Sequence, residues 1–258
     1  MPDDFLSVTE LPGSPATREQ SARLYHRYHT AAGHGKGKRV LEAACGAGMG
    51  LGYLAARADG VVGGDLTENL LRTAQAHYQG RAPLVRLDAH SLPFRGRSFD
   101  LVILFEAIYY LARPELFLAE SRRVLSRGGM LLLCTVNKDW SEFTPSRFSA
   151  RYFSVPELSG LLAKHGFTDI EIFGAFPTSA ASPRQKVISL VRRLAAALHL
   201  IPRTLGGRER LKRLFYGRME ALKPEVEDGM AELFPLVKIP KESPSSDYKI
   251  IYAKARAR

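Results

Sequence analysis

The sequence predicts an α/β fold: a doubly wound, mostly parallel sheet of seven strands, with an α-helical insertion before the last strand. Three observations predict it. Short apolar runs bounded by glycine and small residues alternate with helix-length segments between residues 39 and 166. The runs at 101–105 and 130–133 are almost wholly apolar, the pattern of strands covered on both faces. A stretch rich in arginine and lysine, 177–246, breaks the repeat before a last strand-like segment at 247–254.

In chain order, residues 1–16 read as a loose arm. Thr17 is placed to cap a helix to about residue 32, with Leu24, Tyr25 and Tyr28 on one side and a break at Gly33-His34-Gly35-Lys36-Gly37. Strands follow at 39–43, 60–64, 83–87 and 100–105, then a helix at 114–125. The pair Gly128-Gly129 precedes a strand at 130–136. A helix at 156–166 stops at Gly166, and a weakly alternating strand occupies 168–173. The organisation is one domain over 1–258: an N-terminal helix at 17–37, a core at 38–176, the basic insertion at 177–246 and the terminal strand at 247–254.

Bulk properties narrow the class. A chain of 258 residues with 45% hydrophobic and 24% charged residues can bury a full core. No apolar run approaches the roughly 20 residues that span a bilayer. Residues 1–17 lack the basic and apolar regions of a secretory leader, and the two cysteines, Cys45 and Cys134, have no metal-ligand company. A cytoplasmic protein without metal or disulfide is the expectation. The net charge of +11 admits anionic small molecules, nucleic acid or an anionic membrane surface as partners.

Ligands of an open parallel sheet bind outside the carboxyl ends of its strands. Each of the first four strands delivers an acid there: Glu42 before the glycine turn Gly46, Gly48, Gly50, then Asp65, Asp88 and Glu106. A glycine turn alone suits a dinucleotide pyrophosphate. A ring of carboxylates does not; it suits a nucleoside with hydroxyl and amine donors and a cationic centre, the chemistry of S-adenosylmethionine.

The stretch from Val40 to Gly48, the segment Gly63-Gly64-Asp65-Leu66, and the segments Arg86 to Phe94 and Ser98-Phe99-Asp100 resemble, in order and spacing, motifs of the class I S-adenosylmethionine-dependent methyltransferases. So does Arg123 to Gly129. The resemblance covers about 38–175, with 247–254 fitting the final strand, and implies a Rossmann-like core. It also implies that the turn from Ala44 through Cys45 and Gly46 to Gly48 packs against the methionine and ribose, with Glu42 under the methionine end. Asp65 accepts from the ribose hydroxyls and Asp88 from the adenine amine, beside the backbone of Ala89, while Leu66 and His90 flank the ring. The strand-end residues Ala43 and Phe105 and the helix residue Tyr25 complete the expected cofactor set. Ala44 stands where the family often has glycine, which is tolerable if its torsions are ordinary.

A hydroxyl acceptor also needs a base. Candidates are Glu106 and Tyr109 after the fourth strand and Asn137 after the fifth. The run 106–111 resembles a segment of small-molecule methyltransferases in which histidine often stands where this chain has Tyr110, so the base stays unassigned. The motifs of exocyclic-amine and cytosine-C5 methyltransferases are absent. In the insertion, Val187, Leu190, Val191, Leu194, Leu198 and Ile201 form one apolar stripe. Ten basic residues from Arg184 to Arg218 face Glu209 alone, which is +9 of the +11. The expectation is methyl transfer to oxygen or carbon of a small-molecule acceptor of natural-product, sugar or quinone type. For the insertion, a helical cap with a solvated basic face, a lid over an anionic or lipid-like acceptor, and a membrane-surface or partner-docking helix through 186–218 all stand open. Nucleic acid is disfavoured because aromatic residues are sparse there. An RNA methyltransferase and a non-catalytic cofactor-binding scaffold stand as alternatives.

Overall fold

The computed structural model describes residues 5–146, 148–178 and 219–258. The predicted basic helices of 184–218 lie outside the described residues. The chain builds an eight-stranded sheet from β2 (Arg39–Ala43), β3 (Gly60–Asp65), β4 (Leu84–Arg86), β5 (Phe99–Phe105), β6 (Leu125–Val136), β7 (Phe167–Pro177), β9 (Val237–Ile239) and β10 (Tyr248–Ala257). Their order is β4-β3-β2-β5-β6-β10-β7-β9. Pairing is parallel from β4 to β6, while β10 runs antiparallel between β6 and β7. The chain winds outward from β2 to β4, then returns to place β5 on the other side of β2. That reversal puts the topological switch point between β2 and β5.

Alternate residues of the central strands feed two cores. Val40, Leu101 and Ile103 pack with Leu24, Tyr28 and Tyr252 on one face; Leu41, Val102 and Leu104 pack with Phe117 and Leu158 on the other. Helix α1 (Arg18–Gly35) begins in a capping box, Thr17 accepting from the Gln20 amide and the Gln20 side chain accepting from the Thr17 amide. Helix α5 (Val155–Lys164) opens with the same device, built from Ser154 and Glu157.

Three departures from the sequence reading have local causes. Helix α1 continues through Gly33 and Gly35, because Ala31 and Ala32 are buried against the sheet and hold its last turns in place; the stop falls at Gly37, with φ of +66°. The stretch 219–246, read as part of a helical insertion, forms β8 (Glu220–Ala221) and β9 instead. β9 extends the sheet from seven strands to eight by pairing with β7. From Phe5 onward the arm is not loose. Its β1 (Pro15–Ala16) pairs with β8, and Phe5 lies against the Tyr110 ring at 5.3 Å. Among the described residues no helix is long and apolar enough to cross a membrane.

Candidate active site

The turn that leaves β2 is built by three positive φ angles: Ala44 at +59°, Gly46 at +58° and Gly48 at +73°. The Cys45 amide donates to the Gly64 carbonyl at 2.9 Å, pinning the turn to β3. A methyl on Gly48 would come within 3.0 Å of the Ala74 Cβ and 3.2 Å of the Tyr78 ring. Tyr78 donates to the Gly48 carbonyl at 2.7 Å. The ordinary torsions supposed for Ala44 are not found; an L-residue in this region costs roughly 1–2 kcal/mol. Gly50 matters for a different reason. A Cβ there would sit 1.9 Å from the Tyr28 ring, so its bareness lets Tyr28 reach the sheet.

Each strand-end acid then takes a distinct environment. Asp65 is 7% exposed, and its carboxylate accepts from the amides of Gly46 and Thr67, both at 2.8 Å. Burial raises its pKa against the pull of those two bonds. Asp88 accepts from the His90 amide at 2.8 Å and faces the His90 Nδ1 at 2.6 Å. Glu42 is 1% exposed; its Oε1 accepts from the Tyr28 hydroxyl at 2.7 Å, and its Oε2 has no partner among the described residues. Burial pushes its carboxyl up to about 8, and the Tyr28 bond and Arg27 only partly oppose this. Glu106, at φ +51°, accepts from the Tyr109 hydroxyl at 3.0 Å. Burial pushes it up as well, with Arg27 and Arg23 pulling the other way.

These groups border one cavity of about 550 Å³ at the switch point. Of the sequence-predicted residues, Glu42, Ala44, Cys45, Gly46, Asp65, Leu66, Asp88, Ala89, His90 and Phe105 line it, together with Glu106 and Tyr109. Ala43 and Gly48 shape the turn from behind. Tyr25 is a correction: its hydroxyl accepts from the Gly229 amide at 3.0 Å and its ring packs on Tyr53, while Tyr28, one turn later, lines the cavity. The apolar stripe of α1 does not set the helix's rotation finely enough to choose between them. Asn137 is a second correction. It donates to the carbonyls of Ser245 and Tyr248 at 2.7 and 2.8 Å, tying loops together away from the cavity.

Sequence reasoning missed one wall. Phe5, Val8, Thr9 and Glu10 of the arm close over the turn, and Gln20, Arg23 and Arg27 of α1 face the same space. Arg27 is buried and pairs with Glu10. A visible signal existed, since two arginines four apart inside an otherwise apolar helical stripe require a polar environment.

Small turn residues, a two-oxygen acceptor at Asp65 and a buried unpartnered acceptor at Glu42 fit a nucleoside carrying a cationic tail. Comparison with known proteins agrees with that geometry. Residues 41–133 match the family described as a methyltransferase domain. A probable S-adenosylmethionine-dependent methyltransferase of Mycobacterium tuberculosis is 35% identical over 146 residues, 53% of this chain and 51% of that protein. A phthiotriol/phenolphthiotriol dimycocerosates methyltransferase of Mycobacterium leprae is 39% identical over 124 residues, 47% of this chain and 46% of that protein. The chain spans about half the length of the curated relatives it matches. Among solved structures, a methyltransferase of Thermotoga maritima described as a possible histamine N-methyltransferase superposes with a TM-score of 0.60 at 16% identity. That match covers 93% of this chain and 91% of the other, and is a likeness of fold.

Proposed function

We propose, from the premise that this chain belongs to the class I S-adenosylmethionine-dependent methyltransferase family, that it methylates a hydroxyl of a small-molecule acceptor. The observation that carries the reading is the placement of Glu106 and Tyr109 in the same cavity as the cofactor-fitting acids. Asp65 holds the ribose hydroxyls, Asp88 and the Ala89 backbone address the adenine edge, and Glu42 offers a carboxylate to the methionine ammonium. The bound cofactor supplies a methyl group already activated on a sulfonium. The protein's task is then alignment and proton removal. Glu106 takes the acceptor's hydroxyl proton as the oxygen bonds the methyl carbon and the carbon–sulfur bond breaks. Its raised pKa brings its basicity closer to neutrality, which suits that role. The aromatic groups Phe5, Tyr109 and Tyr110 favour an acceptor with a large apolar part. The Mycobacterium leprae relative, named for phthiotriol and phenolphthiotriol dimycocerosates, supports a small-molecule acceptor.

Calorimetric titration with S-adenosylmethionine and S-adenosylhomocysteine tests the cofactor half, and methyl transfer to a panel of apolar alcohols and quinols tests the acceptor half. Failure of the wild type to bind either nucleoside removes the proposal. Turnover with RNA in place of the panel redirects it to nucleic acid.

A further inference from the structure

The opposite edge of the sheet carries a second concavity of about 600 Å³, lined by Arg97, Arg122, Arg123, Arg127, Lys164 and Arg258, with Ala119, Leu125 and His165. Its parts come from distant positions. Arg97 stands two residues before β5, Arg127 is the third residue of β6, and Lys164 ends α5 just before β7. Arg122 and Arg123 end helix α4 (Pro114–Val124). All of these mark the amino ends of the parallel strands, the edge away from the acid-lined cavity.

Two observations separate this cluster from ordinary surface charge. First, cations converge on one concavity here. Surface cations elsewhere are paired singly, as Arg39 is with Asp100, Arg57 with Asp228, Arg72 with Glu68 and Lys238 with Glu171, or stand alone among the described residues, as Arg18 and Lys241 do. In the pocket, Arg123 pairs with Glu120 and Arg122 donates to the His165 carbonyl. Arg97, Arg127 and Lys164 have no side-chain partner among the described residues. Second, the chain outside 184–218 has a net charge of only +2, so the concentration is local and not a reflection of a basic protein. The negative ends of the α4 and α5 dipoles account for Arg122, Arg123 and Lys164. They do not account for Arg97 and Arg127, which lie on a loop and a strand.

We propose that this pocket binds a group bearing two or more phosphates, carried on a soluble anion or on a lipid headgroup. Guanidinium forks match phosphate oxygens in pairs, and several unneutralised cations around one concavity call for more than a single carboxylate. No aromatic ring other than His165 lines the pocket, so bases have little to stack on and a nucleic-acid strand is the poorer fit.

The test titrates inorganic tripolyphosphate into the full chain by calorimetry, with citrate as a carboxylate control. It also sediments the chain with vesicles containing phosphatidylinositol bisphosphate, against phosphatidylserine vesicles of equal charge. Tripolyphosphate binds more tightly than citrate if the proposal holds. The Arg97→Gln/Arg127→Gln/Lys164→Gln variant then loses roughly tenfold or more, because it removes three cations that converge on the phosphates. The Arg57→Gln/Arg72→Gln/Lys238→Gln variant removes the same charge from paired sites and changes affinity less than about twofold. Arg127→Glu alone is the second variant should the triple one fail to melt cooperatively, and the same loss is expected of it. Retention on bisphosphate vesicles, abolished in the pocket variants, assigns the phosphates to a lipid headgroup; tripolyphosphate binding without vesicle binding assigns them to a soluble anion. Equal losses in the two triple variants, citrate binding as tight as tripolyphosphate, or no binding of either phosphate probe overturns the proposal.

Discussion

The carboxyl edge of the sheet gathers Glu42, Asp65 and Glu106 inside a cavity, while the amino edge gathers Arg97, Arg127 and Lys164 on an open concavity. Part of this polarity belongs to any sheet wound this way. The helices that follow β2 and β3 point their positive ends to the carboxyl edge, and α4 and α5 point their negative ends to the amino edge. What differs is solvent. Glu42 and Asp65 are removed from water and Glu106 is half-buried, so desolvation pushes all three up and leaves one Glu42 oxygen unpartnered. The bases stay exposed, where an unpaired cation costs little. The lesson is that unsatisfied charge carries weight at the two edges for different reasons: desolvation at one, convergence at the other.

The largest expected effect falls on the carboxyl edge. Glu106→Gln lowers kcat ~10²–10⁴-fold if Glu106 is the base, with cofactor affinity held. Single-turnover transfer and calorimetry on the same variant read the two separately, and undiminished turnover removes Glu106 from the chemistry. Tripolyphosphate binding at the amino edge stays unchanged in this variant. Asp65→Asn comes next. It keeps the shape but loses the charge that the Gly46 and Thr67 amides address and on which the proposed ribose contact depends, and cofactor affinity is expected to fall by roughly 100-fold. Wild-type affinity in this variant breaks the assignment of Asp65.

Much of this carboxyl edge was legible in the sequence, because each acid follows an apolar run whose length and glycine boundaries locate a strand end. The closing wall was not. Phe5 and Glu10 meet Tyr110 and Arg27 only after α1 has docked, and no local pattern encodes a contact across those separations. The choice of Tyr28 over Tyr25 hangs on the bare Gly50 opposite, and β9 on the edge that β7 leaves free. The amino-edge pocket was invisible for the same reason, as its cations come from three separate connections and the residue after β10.

Glu42 gives a pH test with a definite sign. Its folded pKa, about 8, lies above its unfolded value near 4.5. Below the unfolded value both states are protonated and the group is neutral to stability. As pH rises from there through 8, the unfolded chain ionises first, and the protein loses stability until the folded carboxyl ionises too. Urea unfolding of Glu42→Gln against wild type therefore shows a gain for the variant that is larger at pH 8.5 than at pH 5. A cationic ligand reverses the preference, so S-adenosylmethionine binding near neutrality releases a proton. The binding enthalpy then depends on the ionisation heat of the buffer. A pH-independent difference in unfolding, with no buffer dependence of binding, places the charge elsewhere.

The smallest effect compares the two edges directly, because each holds a non-glycine residue in the left-handed region: Ala44 at φ +59° and Arg97 at φ +61°. Glycine relieves roughly 1–2 kcal/mol of backbone conflict at such a site and gives back about 0.5–1 kcal/mol in unfolded-chain entropy. Ala44→Gly and Arg97→Gly should each raise Tm by about 1–4 °C, given ~2–4 °C per kcal/mol for a chain of this size. The strain is then the same at both edges, and only the chemistry differs. Arg97→Gly loses tripolyphosphate affinity while keeping cofactor affinity, and Ala44→Gly keeps the phosphate site intact. A fall in Tm for Ala44→Gly alone would mean that its methyl packs usefully in the turn, and that the departure from glycine is a contact, not a tolerated conflict.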